Sequence, residues 1–173
     1  MARSPAQLDL FFSADLLDVP IKGQRETLSL PLFSLSKSRK SRQQYVSAKD
    51  TVDISAPSHI GIATIWDFDV LLWVASQLIA ARERRKEVSP RLKLTAYELL
   101  KSTGRGTSGT QYKLLREALS RLTATTVKTN VRVPDGKQTT MFSWLESWRE
   151  ETDARGRSQW LELTLSSWFF DAV

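Results

Sequence analysis

The segment Gly104-Arg105-Gly106-Thr107-Ser108-Gly109 is the part of the sequence whose residue types best suit a phosphate ligand. It precedes a predicted helix, and the backbone N–H groups at a helix N-terminus attract anions. Two glycines five positions apart resemble the start of a P-loop, but Thr110-Gln111 stands where its lysine and hydroxyl residue would follow. The sequence therefore argues against nucleotide binding. It leaves two interpretations open: a DNA phosphate held by backbone N–H groups and Arg105, or a tight turn between two helices.

A helix is predicted to follow from Ser108 to Leu122, opened by a capping-box pattern in Ser108-Gly109-Thr110-Gln111. The stripe that would pack on a core is formed by Gln111, Leu115, Ala118, Leu119 and Leu122. The helical period places Lys113, Arg116 and Ser120 on the opposite face, together with Gly109 and Glu117. An exposed face with cations and a hydroxyl offers the donors that a DNA groove requires, so this is the predicted recognition helix.

The neighbouring elements complete the order of a winged helix-turn-helix. Thr95-Ala96-Tyr97-Glu98 has the capping-box pattern of a short preceding helix, which Gly104 is expected to end. After the recognition helix, Thr126 to Val133 alternates apolar and polar residues, and Pro134-Asp135-Gly136-Lys137 turns the chain back. The predicted fold class is therefore α+β, a winged helix-turn-helix with a β-hairpin wing and an N-terminal strand extension.

The predicted DNA contacts come from three neighbouring places. They are Arg105, Thr107, Ser108 and Thr110 at the N-terminus of the recognition helix, Lys113, Arg116 and Ser120 on its exposed face, and Lys128, Arg132 and Lys137 on the wing. A separate basic loop over residues 36–44 contains Lys37, Arg39, Lys40 and Arg42 among serines. Such runs are often merely solvated, so contact with DNA and simple solvation both stay open for this loop.

The charge distribution supports a polyanionic partner. The chain of 173 residues carries a net charge of +6. Residues 91–133 contain nine basic and two acidic residues, whereas residues 134–173 contain four basic and seven acidic ones. The positive charge is thus concentrated in the predicted helix-turn-helix, where binding to nucleic acid would release counterions. A solvated basic face is the alternative that composition alone leaves open.

Composition excludes several other classes of site. Without cysteine the chain cannot form disulfides, zinc ribbons or a thiol nucleophile, and a single histidine, His59, cannot build a histidine metal site. Glu146, Glu150 and Glu151 make a weak candidate for a magnesium site, because no supporting histidine or aspartate motif accompanies them. We therefore expect no enzyme activity, no metal and no cofactor. Neither a secretory signal nor a membrane span is predicted, so the expected compartment is the cytoplasm.

Two regions are expected along the chain. Residues 1–55 are interpreted as an arm with edge strands, including one over residues 28–35 and strand pieces at residues 45–46 and 51–55. Residues 56–173 are interpreted as the winged-helix domain. Its first helix is predicted to begin at Thr64 and to pack through Ile65, Phe68, Leu72, Ala75 and Ile79. A short strand over residues 91–94, a third strand over residues 160–165 and a final helix from Ser166 complete it.

Several blocks of the sequence resemble the replication initiator protein A family of bacterial plasmids. They are Phe33-Ser34-Leu35-Ser36-Lys37, the run from Ala63 to Gln77 that begins Ala-Thr-Ile-Trp-Asp, Gly104-Arg105-Gly106-Thr107 with Gln111-Tyr112, Phe142-Ser143-Trp144, and Leu165 to Phe169. The resemblance extends from about Leu8 to the end of the chain.

The resemblance implies a plasmid replication initiator. Such proteins resemble tandem winged helices that bind direct repeats, called iterons, in double-stranded DNA at the plasmid origin. They help to open the duplex, recruit host replication proteins and often repress their own gene as dimers, which controls plasmid copy number. The chain looks like the first of two such domains. In related initiators this domain often dimerises and contacts the DNA backbone, whereas the second domain reads bases.

Two alternatives remain open from the sequence. The chain could be a dimerisation or protein-interaction module of an initiator with little DNA affinity of its own. In that case Leu10, Phe11, Phe12 and the strand from Leu30 to Leu35 would form the contact. It could also be a winged-helix transcriptional repressor, because a repressor would share the same fold signals. The sequence favours an initiator over a repressor only through its family blocks.

Overall fold

The computed structural model describes residues 12–13, 32–36, 38–46, 48, 50–130 and 139–173. Within these ranges the strands are β1 (Phe12–Ser13), β2 (Arg42–Val46), β3 (Thr51–Ser55), β4 (Arg91–Leu94), β5 (Thr126–Thr129), β6 (Thr140–Ser143), β7 (Leu145–Thr152) and β8 (Ser158–Leu165). The helices are α1 (Ile65–Glu83), α2 (Ala96–Ser102), α3 (Gly109–Ala124) and α4 (Ser167–Ala172). None of these helices is both long and apolar enough to cross a membrane. The α+β class predicted from the sequence is confirmed.

The strands form two separate four-stranded sheets. The first sheet has the order β1-β4-β8-β7, with β1 parallel to β4 and the other pairs antiparallel. The second sheet has the order β2-β3-β5-β6 and is antiparallel throughout. The α1, α2 and α3 helices pack on one another, and α3 also packs on β7 and β6. Residues of both sheets and of all these helices share one apolar core.

The hairpin predicted to be the wing belongs to the second sheet. In this hairpin β5 pairs with β6 on one side and with β3 on the other, so that Val127 lies opposite both Ile54 and Phe142. The short strand β4, which precedes α2, pairs instead with β8, and β7 with β8 forms the hairpin of the first sheet. The pairing of β5 with β6 confirms the hairpin predicted after α3, but its other neighbour is β3 and not the short strand β4 that precedes α2. Residues 131–138 of that hairpin lie outside the described residues.

The helix signals are confirmed for α2 and only in part for α3. Thr95 and Glu98 form the predicted capping box of α2, and Gly104 follows that helix with φ +71°, a conformation that favours glycine. The predicted packing face of α3 is buried at Leu115, Ala118, Leu119 and Leu122. The predicted capping box of α3 is wrong, because the Ser108 side chain makes no cap hydrogen bond.

The interior position of α1 explains where its predicted packing stripe fails. Phe68 and Ala75 are buried as expected, but Ile65 is exposed, whereas Trp73 and Gln77 off the stripe are buried. A helix that is covered on most sides carries apolar residues all round, so its period does not distinguish one face. The α1 helix ends at Glu83, within the basic run that begins at Arg82.

Part of the basic loop predicted over residues 36–44 is a strand, and part of the predicted edge strand packs against the core. Residues Arg42 to Gln44, predicted as part of the basic loop, lie in β2, and the strand predicted over residues 51–55 is β3. Of the edge strand predicted over residues 28–35, residues 32–35 are described, and Ser34 makes a single parallel bridge to Thr64. Phe33 next to it is buried and stacks on Trp144, with ring centroids 4.7 Å apart. This segment is thus held against the core.

One buried ion pair fixes the crossing of α1 and α3. Arg121 donates to both carboxylate oxygens of Asp67, at 2.7 and 2.8 Å, and Asp67 is only 1% exposed. The same carboxylate accepts the N–H of Thr64 at the start of α1. Close by, Thr125 Oγ1 accepts the N–H of Ala63 at 2.8 Å. The first turn of α1 is therefore tied to the last turn of α3.

We expect Asp67→Ala to lower the free energy of unfolding by roughly 3–5 kcal/mol, because it leaves Arg121 without its buried counterion. Urea unfolding followed by circular dichroism measures this change. Asp53→Ala is the matched control, since it removes a carboxylate from an exposed pair with Arg42 and should have a much smaller effect. Equal losses for the two variants would show that the buried pair does not support the fold.

Candidate nucleic-acid interface

The N-terminus of α3 is open to solvent, as the sequence predicts for a phosphate-binding turn. Thr107, Ser108, Thr110 and Lys113 are all exposed. The first N–H groups of a helix have no acceptor within the helix, and the Ser108 side chain supplies none here. A Cβ placed on Gly109 would meet no atom within 4 Å, so a ligand can approach this backbone closely. The geometry suits an anion next to the ammonium group of Lys113.

Arg116 does not point freely away from α3 as predicted. Its guanidinium donates from Nε and Nη2 to the two carboxylate oxygens of Glu150 on β7, at 2.7 and 3.0 Å. These hydrogen bonds hold the pKa of Glu150 below its ordinary value, in spite of the opposing effect of burial. Ser120 on the same flank is half-buried. Because β7 covers this flank, the face of α3 that remains open is narrower than the sequence suggests.

Arg105 lies against the beginning of α1. Its Nη2 donates to the carbonyl oxygen of Trp66 and lies 3.6 Å from a carboxylate oxygen of Asp69. If Arg105 binds a phosphate at the N-terminus of α3, as predicted, its guanidinium must be shared between that phosphate and these two partners. These contacts hold the guanidinium of Arg105 in one position beside α3.

The remaining predicted contacts lie elsewhere. Lys128 is exposed on β5, in register between Asp53 on β3 and Met141 on β6. Arg42 pairs with Asp53 at 2.8 Å, so this predicted loop cation is a partner within the second sheet. Arg39 and Lys40 are exposed. Three further predicted residues, Lys37, Arg132 and Lys137, lie outside the described residues.

The tip of the β7–β8 hairpin carries two exposed arginines that are not among the predicted DNA contacts. Asp153 accepts the N–H groups of Arg155 and Arg157 and the Nε of Arg157, which lowers the pKa of its carboxyl group. Gly156 adopts φ +74° in this turn. Arg155 is exposed at the tip. The spacing Asp-x-Arg-Gly-Arg was a signal for this arrangement, because Asp and Gly favour such turns.

The comparison with protein families decides the relationship of this chain. Residues 22–173 match the family model of replication initiator protein A. The chain belongs to the replication initiator protein A family. The family predicted from the sequence blocks is thereby confirmed. A protein of Wigglesworthia glossinidia brevipalpis, named as a candidate replication protein, is 31% identical over 170 residues.

The coverage of these relatives is unequal. The match with the Wigglesworthia protein includes 94% of this chain but 61% of that protein. Two crystal structures of domains 2 and 3 of RctB are similar in fold, with TM-scores of 0.61 and 0.60 at 15% identity. They cover 81% and 82% of this chain, and 58% and 56% of those chains. The chain therefore spans about three fifths of the relatives that it matches.

The Arg116–Glu150 pair should make stability depend on pH in the acid range. Because the pKa of Glu150 in the folded protein is lowered, its stabilising effect is present above its ordinary pKa of 4.5 and is lost as the pH falls through the folded value. We expect the loss of unfolding free energy in Glu150→Gln to be largest near neutral pH and to shrink below pH 4.5. Urea unfolding across this range measures it.

Arg116→Met serves as the background for a double-mutant cycle on this pair. In that background, Glu150→Gln should show a weaker dependence on pH, because the partner that lowers the carboxyl pKa is gone. A loss that is the same at every pH in both backgrounds would contradict the role given to the pair.

Proposed function

We propose that this chain is the part of a plasmid replication initiator that binds double-stranded origin DNA, with the N-terminus of α3 as its principal contact. The open N-terminus of α3, with its uncapped amides beside Lys113, is the observation on which this proposal rests. Membership of the replication initiator protein A family supports DNA as the partner. We infer that the chain acts by binding rather than by catalysis.

A winged helix-turn-helix is the arrangement that we propose for this contact. The chain runs through α1, β4, α2 and α3, then through β5 and β6 of the second sheet, and returns to β4 with β7 and β8. Because β4 pairs with β8, the β7–β8 hairpin would be the wing in place of the β5–β6 hairpin. The α3 helix would then enter the major groove, while Arg155 at the hairpin tip would reach the neighbouring backbone or minor groove. The turn around Asp153 holds this tip in shape before DNA arrives.

The charges on the open face of α3 favour a contact with the backbone over one that reads bases extensively. Lys113 and Thr110 can bind phosphates, but Glu117 is exposed one turn after Lys113 and would repel them. Arg116, the other cation of this helix that was predicted to face DNA, is held by Glu150. We therefore expect α3 to contact DNA over its first turns. Binding to iterons, opening of the duplex and recruitment of host replication proteins are proposed for the whole initiator.

Lys113→Gln should weaken binding to duplex DNA and lower the slope of log K against log salt by about 0.9, the value for one phosphate contact. Fluorescence anisotropy with a labelled origin duplex at several salt concentrations measures both quantities. Lys86→Gln is the matched control, because it also removes one positive charge. Lys86 follows the C-terminal end of α1, a helix about 28 Å long, and so lies away from the proposed contact.

Binding that is unchanged in folded Lys113→Gln, or reduced equally by Lys86→Gln, would remove α3 from the interface. A companion variant tests the sign of the electrostatic argument. Glu117→Gln removes the repulsive charge from the same helix face and should strengthen duplex binding at low salt. A weaker complex for this variant would contradict the proposed orientation of α3.

Dimerisation is a second candidate function, favoured by exposed apolar residues on β2 and β6, the outer strands of the second sheet in the described part of the chain. Val46 at the end of the edge strand β2 is 75% exposed, and Met141 on the opposite edge strand β6 is exposed as well. An edge strand with exposed apolar residues can pair with another strand. The arm residues first suggested for this role, Leu10, Phe11 and Phe12, lie outside the described side chains, as does Leu30. Of the rest of that predicted strand, Leu32 and Phe33 are buried in the core.

Val46→Lys should reduce self-association of the chain if the β2 edge forms a dimer. Sedimentation at several protein concentrations measures the dimer fraction. Tyr97→Lys is the matched control, because Tyr97 is also an exposed large side chain but lies on α2, outside the second sheet. A chain that stays monomeric at all concentrations would refute the dimer, and equal losses in both variants would refute the β2 edge as its interface.

A further inference from the structure

A cleft of about 620 Å³ opens beside the proposed duplex contact. It lies between the beginning of α1, the turn after α2, the first turns of α3 and the loops that precede α1. Trp66, Arg105 and Leu114 line it from the three helical regions, and Arg39 lines it from the loop side. Its volume is in the range of sites that hold a small organic molecule. Sequence reasoning gave no reason to expect this cleft.

The polar wall of the cleft is fixed before any ligand binds. The carbonyl oxygen of Trp66 accepts a hydrogen bond from Arg105, which also lies 3.6 Å from Asp69. Deeper in the wall, Arg121 is bound to Asp67 by two hydrogen bonds. The Asp69 side chain remains 44% exposed, so its oxygens can still accept hydrogen bonds from a ligand. The wall thus presents both a cation and an acceptor.

The loop side of the cleft adds an exposed cation in a defined place. The backbone of this loop is anchored by hydrogen bonds from the N–H of Ile62 to the carbonyl of Lys40 and from the N–H of Ala56 to the carbonyl of Ser41. Gly61 has φ +87°, and a Cβ there would lie 2.6 Å from Cγ of Arg39. The absence of a side chain on Gly61 therefore allows the stem of Arg39 to pack closely, which directs this arginine along the cleft.

The apolar part of the cleft is an exposed aromatic surface. Trp66 is 55% exposed although it lies in the first turn of the otherwise well-covered α1, and Leu114 on α3 is 41% exposed. An indole ring left open beside cations is suited to stack on another flat ring. A paired base keeps both faces inside the duplex stack, so only an unpaired base can reach such a ring.

We propose that this cleft binds one unpaired nucleotide of single-stranded DNA. The base stacks on Trp66, with Asp69 as an acceptor for its N–H groups, and Arg39 with Arg105 attracts the adjoining phosphates. A polyanionic occupant is favoured because the exposed cation Arg39 lines the cleft, and Lys40, the next residue in the chain, is exposed as well. The inference rests on the proposed function only in taking DNA as the partner, since it concerns a different strand state and different residues.

The position of the cleft gives this site a role next to the duplex contact. Gln111 and Leu114 of α3 line the cleft, whereas Thr110 and Lys113 of the same turns face solvent. A nucleotide that leaves the duplex near α3 would meet the indole ring within one or two helical turns. The cleft would therefore stabilise a separated strand at the place where the duplex is held.

Binding of a labelled single strand of about 12 nucleotides to the whole chain, followed by fluorescence anisotropy, tests the proposal. Trp66→Ala should raise the dissociation constant roughly 5- to 100-fold, the range expected for the loss of one stacked base. Trp66→Phe should keep most of the affinity because it keeps a ring. Trp160→Ala is the matched control, since Trp160 is 42% exposed but lies on β8, away from the cleft.

A second variant keeps the test independent of the tryptophan. Arg39→Gln should lower the salt slope for the single strand by about 0.7, the value for one phosphate of a single strand. Lys86→Gln should leave this slope unchanged. Circular dichroism of each variant verifies that it is folded.

The outcomes separate this inference from the proposed duplex function. Loss of single-strand binding in Trp66→Ala with unchanged duplex binding is the expected result, and it would support the cleft even if Lys113→Gln had no effect on duplex binding. Equal effects of Trp66→Ala and Trp160→Ala, or no single-strand binding by the chain, would overturn the cleft while leaving the duplex contact in place. Binding of an acidic peptide in place of the single strand, lost in Trp66→Ala, would overturn it in favour of a protein partner.

Discussion

The buried ion pair between Asp67 and Arg121 determines how α3 lies against the rest of the protein. It links the first turn of α1 to the last turn of α3, and the hydrogen bond from Ala63 to Thr125 strengthens the same corner. Because Asp67 is almost completely buried, its charge is compensated chiefly by this one guanidinium. The open N-terminus of α3 and the cleft beside it are therefore placed by a contact that lies outside both.

A second ion pair holds the opposite flank of α3. Arg116 is bound to Glu150 on β7, so that the helix is tied to α1 on one side and to the first sheet on the other. The face with Thr110, Lys113 and Glu117 remains open for the proposed contact with a duplex. A helix held on two flanks presents its free face with little movement, which reduces the entropy lost when a rigid duplex binds. Arg116 and Arg121 thus fix the position of α3 in the protein.

Local signals in the sequence predicted the elements well, and long-range pairings could not be predicted. The capping box at Thr95 and the alternation over residues 126–129 depend on neighbours in the chain, so composition and spacing reveal them. The partner of β5 is β3, more than 70 residues away, and the guanidinium of Arg116 is bound 34 residues further on. The exposure of Trp66 could not be predicted for a related reason. Because α1 carries apolar residues all round, its sequence does not indicate which side faces solvent.

The most direct test of the account is amide hydrogen exchange of the whole chain with and without a saturating origin duplex. The N–H groups of Gln111 and Tyr112 donate to the carbonyl of Ser108, whereas those of Gly109 and Thr110 precede the first such bond. These two amides should exchange quickly in the free protein and slowly when a phosphate occupies them. The account predicts protection of residues 107–110 and of the turn over residues 153–157, with no change over residues 82–88. Protection confined to the second sheet, with no change at the beginning of α3, would contradict it.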